Sequence, residues 1–138
     1  MKTVVHVLAA AAIVTALGAA TAAPLTGDAA RGEKLYEQCR GCHAYKGTLV
    51  GPPHCGVYGR RAGSVEGFAY SDAMKKSGVV WDEKTLDAYL KAPQSVIPGV
   101  AMLAPPVDNA QDRADIIAYL KAGLDTDICG PPSASPAK

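Results

Sequence analysis

The chain has 138 residues, 49% of them hydrophobic, with 14 Lys and Arg against 13 Asp and Glu and a formal net charge of +1. That length suits one domain, and the balanced charge excludes a strongly basic chain built to bind nucleic acid. Aromatics are scarce, with one Trp, one Phe and six Tyr, so the chain builds only a modest core by itself.

The N-terminus reads as an export signal. Met1 and Lys2 give a short basic start, Val4 to Ala20 is small and apolar, and Ala20-Thr21-Ala22 matches the A-x-A cleavage pattern. Residues 1–22 are therefore expected to be a secretory signal peptide. The alternative, an uncleaved membrane anchor, fits less well with an alanine-rich run that ends in a small-residue site. Cleavage leaves 23–138, without stable membrane insertion, and loss of Lys2 takes the formal charge of +1 to zero.

Thr26, Gly27 and Asp28 offer a helix start, and Ala29 to about Arg40 carries helix formers with Leu35 and Tyr36 on one side. Gly32 inside this helix costs about 1 kcal/mol against alanine, which points to a close helix crossing. The helix runs into Cys39-Arg40-Gly41-Cys42-His43. This C-x-x-C-H pattern is the signature of covalent c-type haem attachment. Each thiol adds to one vinyl group, and the histidine that follows is set against the iron. A structural zinc site would want a second ligand pair at similar spacing, which His54 and Cys55 do not provide. A thioredoxin-type pair would want a βαβ context, and the surroundings read as helical.

From Ala44 to Gly67 there is little periodicity, and six glycines with Pro52-Pro53 mark a long loop. A loop of that length needs something to wrap around, and a haem supplies it. Ser71 to Lys76 predicts a short helix ending at Ser77-Gly78. Val79-Val80-Trp81 is a brief apolar run without a strand partner. Asp82 caps a helix through about Ala92, with Leu86, Tyr89 and Leu90 on one face. Pro93 is expected to stop it, and Gln94 to Pro105 to be loop. Asp108 or Asn109 starts a last helix to about Ala122, with Gly123 at its C′ position. The tail, 125–138, reads as poorly ordered apart from Cys129. The fold class is all-α, helices and long loops around one cofactor.

Iron bound by one histidine has a sixth position, and methionine there suits electron transfer. Beyond the signal peptide the methionines are Met74 and Met102. Met102 lies in the loop after Pro98-Gly99, which can fold over the face opposite His43, so it is the expected ligand. Met74 is tied to a helix surface and reads as core filler. His54 is the rival ligand, but it follows Pro52-Pro53 closely and is expected on the same side as His43.

The sequence resembles a small soluble cytochrome c of the mitochondrial and bacterial type over roughly Gly27 to Leu124. The resemblance is carried by Gly27-Asp28 through Leu35-Tyr36, by Gly51-Pro52 with Gly56-Val57-Tyr58-Gly59-Arg60, and by Phe68-Ala69-Tyr70-Ser71. Val79-Val80-Trp81, Leu86-Asp87-Ala88-Tyr89-Leu90, Ile97-Pro98-Gly99-Val100-Ala101-Met102 and Arg113 to Leu120 complete it. It implies one haem c bound through Cys39 and Cys42, with His43 and Met102 on iron. It implies that the Pro52 carbonyl accepts from the His43 ring, which fixes the tautomer. Arg60, Tyr70 and Trp81 are implied to reach the propionates, and Tyr89 to sit near Met102. Gly32 and Tyr36 are implied to pack against Tyr119. Four departures all lie on the methionine side: Val100 for a hydroxyl residue, Ala101 for a lysine, Met74 for an asparagine near the haem, and Leu103-Ala104 where an aromatic is usual. The third of these brings Met74 closer to the haem than a surface position.

Cys55 stands where the family commonly has histidine, and Cys129 lies beyond the matching region. In an exported chain with no other free partner, these two are expected to form a disulfide that pins the tail over the His43 side. The function implied is a periplasmic monohaem carrier shuttling single electrons, without enzyme activity. Its expected partners are redox donors and acceptors such as membrane complexes or periplasmic dehydrogenases, met as a monomer. Lys34, Lys46, Lys75, Lys76, Lys91 and Lys121 are candidates to steer docking. Two other roles remain open: a dedicated electron-accepting subunit of one dehydrogenase, and a haem sensor or enzyme with a displaceable Met102.

Overall fold

The computed structural model describes residues 25–124 and 126–130, so the expected signal peptide, 1–22, and the end of the tail lie outside the described residues. Among the described residues six helices follow one another: α1 (Ala29–Arg40), α2 (Asp72–Lys76), α3 (Glu83–Lys91), α4 (Pro93–Val96), α5 (Ala110–Lys121) and α6 (Thr126–Cys129). The fold is all-α, and no described helix is long and apolar enough to cross a membrane.

The caps explain where the helices begin. The Asp28 carboxylate accepts the N–H groups of Ala30 and Arg31 at 2.9 and 3.2 Å, which starts α1. Asp82 and Thr85 form a reciprocal capping box at the head of α3, with bonds of 2.8 and 2.9 Å. Of the two expected starts for α5, the cap is Asn109, whose side chain accepts from Gln111 and Asp112. Each such cap satisfies backbone donors that the first helical turn leaves open.

The first and last long helices, α1 and α5, cross in tight contact. A Cβ on Gly32 would run into the backbone carbonyl of Asp115, and Gly27 meets Ala114 in the same way. Tyr36, only 1% exposed, sets its ring edge-on to Tyr119 with centroids 5.5 Å apart. The Tyr45 and Tyr119 hydroxyls share a hydrogen bond of 2.9 Å, which closes the aromatic cluster around Tyr36.

Beside the crossing, Asp115 is a buried carboxylate with a full set of donors. The Asp28 N–H and the Gln111 amide each donate at 2.8 Å, and the Arg31 guanidinium donates to it and to Asp112. Burial alone pushes the Asp115 carboxyl up, but these donors together hold it below the ordinary carboxylate range. On the other side of α5, Arg113 pairs with Asp87 of α3 at 2.7 Å and donates to the carbonyls of Val107 and Asp108. Ile116, Ile117, Leu120, Leu86 and Tyr89 fill the core between α3 and α5.

Three expectations need correction. Pro93 does end α3, but it also opens the separate short helix α4, where a residue without an N–H is tolerated at the first position. The Val79-Val80-Trp81 run does have a partner. Val80 bridges to Arg61, the Ala62 N–H donates to the Val79 carbonyl at 2.8 Å, and the Trp81 N–H donates to Arg60 at 3.0 Å. The start of the tail is helical, as α6, rather than irregular up to Cys129.

The Gly32 contact is testable. Gly32→Ala should lower the unfolding free energy of the holoprotein by about 1–3 kcal/mol through overpacking against Asp115. This holds even though alanine favours an isolated helix by about 1 kcal/mol. Denaturant midpoints at unchanged slope measure the difference.

Candidate functional site

The C-terminal end of α1 presents Cys39, Cys42 and His43 together. The N–H groups of Cys42 and His43 both donate to the Cys39 carbonyl, at 3.1 and 2.9 Å, so the motif continues the helical turn. Cys39 is half-buried and Cys42 is exposed, and neither is disulfide-bonded. Burial, with Cys42 nearby, pushes the Cys39 thiol up to about 11.

His43 is oriented by the loop that follows. Its Nδ1–H donates to the Pro52 carbonyl at 2.9 Å. The proton on Nδ1 leaves Nε2 with its lone pair, the form a metal takes. Burial lowers the His43 pKa and the Pro52 carbonyl only partly opposes it, which favours the uncharged ring. Gly51 lies so close that a Cβ there would enter the His43 ring. The Gly51 N–H in turn donates to the Cys42 carbonyl at 2.8 Å.

His54 stacks on His43, with ring centroids 4.0 Å apart and planes 21° from parallel. This puts it on the His43 side, as its closeness to Pro52-Pro53 suggests. Burial, then His43 and Arg60, holds its pKa well below the ordinary imidazole value.

Arg60 carries a charge for which the described residues supply no carboxylate. Its guanidinium donates to the carbonyls of Pro53 and Cys55, at 2.8 and 3.0 Å. Burial lowers its pKa, and the neighbouring Tyr70 offsets this only in part. A half-buried cation in that state suits an anionic partner. Tyr70 packs edge-on to Phe68 at 4.6 Å, and buried Trp81 packs on Tyr89 at 4.8 Å. The backbone contact of Trp81 with Arg60 brings these groups into one region.

On the methionine side, Met102 is half-buried and lines a shallow depression with Lys91, Pro93, Gln94 and Leu103. The loop that delivers it is held by a residue that sequence reasoning missed. Gln94 donates to the Val100 carbonyl at 2.8 Å and accepts from the Gly99 N–H at 3.3 Å. Gly99 sits at φ +83°, a conformation that a side chain disfavours. Nothing local in the sequence marks Gln94, because its partners depend on how α4 turns the chain. Met74 is half-buried and packs against the core rather than on an open helix surface. Cys55 and Cys129 are bonded to each other, with Cα atoms 5.3 Å apart.

Two adjacent thiols, an imidazole with its Nε2 lone pair free and a half-buried cation without a carboxylate among the described residues fit a covalently attached haem bearing two carboxylates. The fold and this site define a c-type haem protein. The profile of the family described as Cytochrome c matches residues 29–123. Cytochrome c2 of Rhodomicrobium vannielii is 46% identical over 123 residues, spanning 87% of this chain and 95% of that protein. Cytochrome c of Theileria annulata is 50% identical over 99 residues, 69% of this chain and 85% of its own. The solved structure of cytochrome cH from Methylobacterium extorquens aligns with a TM-score of 0.67 at 45% identity, over 69% of this chain and 98% of that one. The chain belongs to the cytochrome c family, and its class is that of monohaem electron carriers rather than enzymes.

The buried tyrosines give a pH test. Burial pushes the Tyr89 phenol up to about 12, and burial raises Tyr36 further. Above about pH 10 the unfolded chain loses these protons while the fold keeps them. The unfolded state then binds fewer protons, so stability falls as pH rises, by up to about 1.4 kcal/mol per pH unit for each tyrosine. Denaturant midpoints measured between pH 9 and 12 should decline, and Tyr89→Phe should make the decline shallower.

Proposed function

We propose that this protein is a periplasmic one-electron carrier with one haem c held through Cys39 and Cys42 and ligated by His43 and Met102. The observation that carries the reading is the His43–Pro52 hydrogen bond beside the paired thiols, because it leaves Nε2 as the metal-facing nitrogen. When bound, the haem supplies an iron that alternates between ferrous and ferric.

The chain's residues keep that change inexpensive in structural terms. The Pro52 carbonyl and the Gly51 backbone restrain the His43 ring. Gln94 braces the turn that brings the Met102 sulfur to the opposite face. Arg60, with Tyr70 and Trp81 nearby, supplies donors and charge for propionates. Export by residues 1–22 sets the compartment. Among the described residues, Lys75 and Lys76 pair with Asp72, and Lys121 pairs with Glu83. Such exposed pairs are weak and open easily. Lys34, Lys46 and Lys91 have no ion pair among the described residues, so they are the readiest to meet an acidic redox partner. Exposed Leu49, Val50 and Leu103 add apolar contact surface.

Absorption spectra of the holoprotein in both oxidation states test the ligand set. Thioether-type haem bands with the weak near-red methionine–iron band are expected. Met102→Ala should abolish that band and Met74→Ala should keep it. Rapid carbon monoxide binding by the reduced wild type at neutral pH would favour a sensor with an open iron position instead.

We further propose that the Cys55–Cys129 bridge forms in the exported protein, where the compartment is oxidising. It spans 74 residues, for which the loop-entropy relation gives about 4 kcal/mol. Replacing both cysteines by alanine should lower stability by up to that amount. Thiol titration of the denatured, unreduced holoprotein should find no free thiol, and two reactive cysteines would count against the bridge.

A further inference from the structure

The side chain that the haem reading leaves without a task is His54. It is a polar, partly buried ring in direct contact with the proposed iron ligand. An aliphatic side chain would fill the same space. What such a side chain would lack is the hydrogen bond at the far side of the ring, where His54 Nδ1 and the Tyr36 hydroxyl lie 2.8 Å apart.

We infer that His54 is a positioning residue for His43, and that it couples the orientation of the His43 ring to the crossing of α1 and α5. This rests on the reading of His43 as the iron ligand. Each link of the coupling is a contact in the structure. His43 and His54 are stacked with centroids 4.0 Å apart. His54 is hydrogen-bonded to Tyr36. Tyr36 is 1% exposed, lies parallel to Tyr45 at 6.0 Å and sits edge-on to Tyr119 of α5 at 5.5 Å. The chain of rings thus runs from the helix crossing to the axial ligand without a gap.

The backbone around His54 is held as firmly as the ring. The His54 N–H donates to the Ala44 carbonyl at 3.0 Å, and the Cys55 N–H donates to Tyr45 at 2.9 Å. The segment following His43 and the segment carrying His54 are therefore laced together. Cys55, the next residue, is bonded to Cys129. The stacked His54 ring holds the plane of His43 from its face, while the Pro52 carbonyl holds the ring at Nδ1 along its edge. The two contacts restrain the ring together, so loss of His54 removes the restraint on that face.

The orientation of an axial imidazole plane is read directly in a low-spin ferric haem protein. The g-values of the electron paramagnetic resonance spectrum and the spread of the haem-methyl proton resonances both depend on it, and overall stability does not set them. The experiment compares holoprotein of the wild type with Tyr36→Phe, His54→Leu, His54→Gln and the Tyr36→Phe/His54→Leu double variant. The midpoint potential and far-UV circular dichroism are recorded in parallel.

Tyr36→Phe and His54→Leu should each shift the g-values and the methyl pattern while keeping the helical signal. The double variant should shift no further than His54→Leu alone, because both changes cut one chain of contacts. His54→Gln, which retains a hydrogen-bonding group, should return the pattern part of the way to the wild type. Unchanged g-values and methyl shifts in folded His54→Leu and Tyr36→Phe would overturn the inference and leave His54 as packing. Additive shifts in the double variant would overturn the coupling to the helix crossing. If His54→Leu does not fold, Tyr36→Phe decides alone, since it removes one hydroxyl and leaves the ring. A wild type without a histidine–methionine low-spin spectrum would sink the ligand reading itself, a failure visible before any variant is compared.

Discussion

The contact on which the rest depends is the crossing of α1 and α5. Gly32 lets the helix backbones approach until the Asp115 carbonyl occupies the space where any Cβ would lie. That closeness brings Tyr36 against Tyr119 and lets Asp28, Arg31 and Gln111 reach the buried Asp115 carboxylate. A buried carboxylate with fewer donors would be a liability. With this set it fixes the angle and register of the two helices. Because α1 runs directly into Cys39, Cys42 and His43, the same register determines where the attachment motif sits.

Between the crossing and α2 the chain has little regular structure, and its order comes from elsewhere. Backbone bonds lace residues 51–55 to residues 42–45, and 59–62 to 79–81. Both strips pair loop with loop, so they form no sheet among the described residues. They nevertheless deliver Pro52, His54 and Arg60 to defined positions. A long loop would normally carry a large conformational entropy cost. Here local pairing offsets part of it, and the proposed Cys55–Cys129 bridge and a covalently attached haem would offset more.

Much of this was legible in the sequence, for physical reasons that differ by element. The attachment motif declares itself because its chemistry demands fixed spacing. The long helices are visible through their caps at Asp28 and Asp82 and through apolar stripes such as Leu86 and Tyr89. The close crossing is visible because glycine at position 32 is otherwise unfavourable in a helix. The misses are of two kinds. The Arg61–Val80 bridge depends on where separated segments meet, whereas Pro93 as a helix start, α6 and the Gln94 clamp are short-range features that carry no apolar period to announce them. In the sequence His54 suggests only a metal ligand; its stacking and its bond to Tyr36 require the loop and α1 to be placed together first. The ring that carries the further inference is therefore the one that local pattern described least well.

The two sides of the proposed iron site are unequal in how firmly they are held. His43 has a carbonyl on Nδ1, the Gly51 backbone and His54 against its ring, and two attachment cysteines within four residues. Met102 depends on a turn braced by one glutamine, and the chain beyond it is open, with Leu103 88% exposed and the next return bond running from the Val107 N–H to Leu90. Local opening starts where few buried contacts and few backbone bonds resist it. The histidine side is bound to the helix crossing that sets the whole fold, whereas less holds the Met102 loop. Local opening of the proposed site is therefore expected to begin at Met102 and to leave His43 in place.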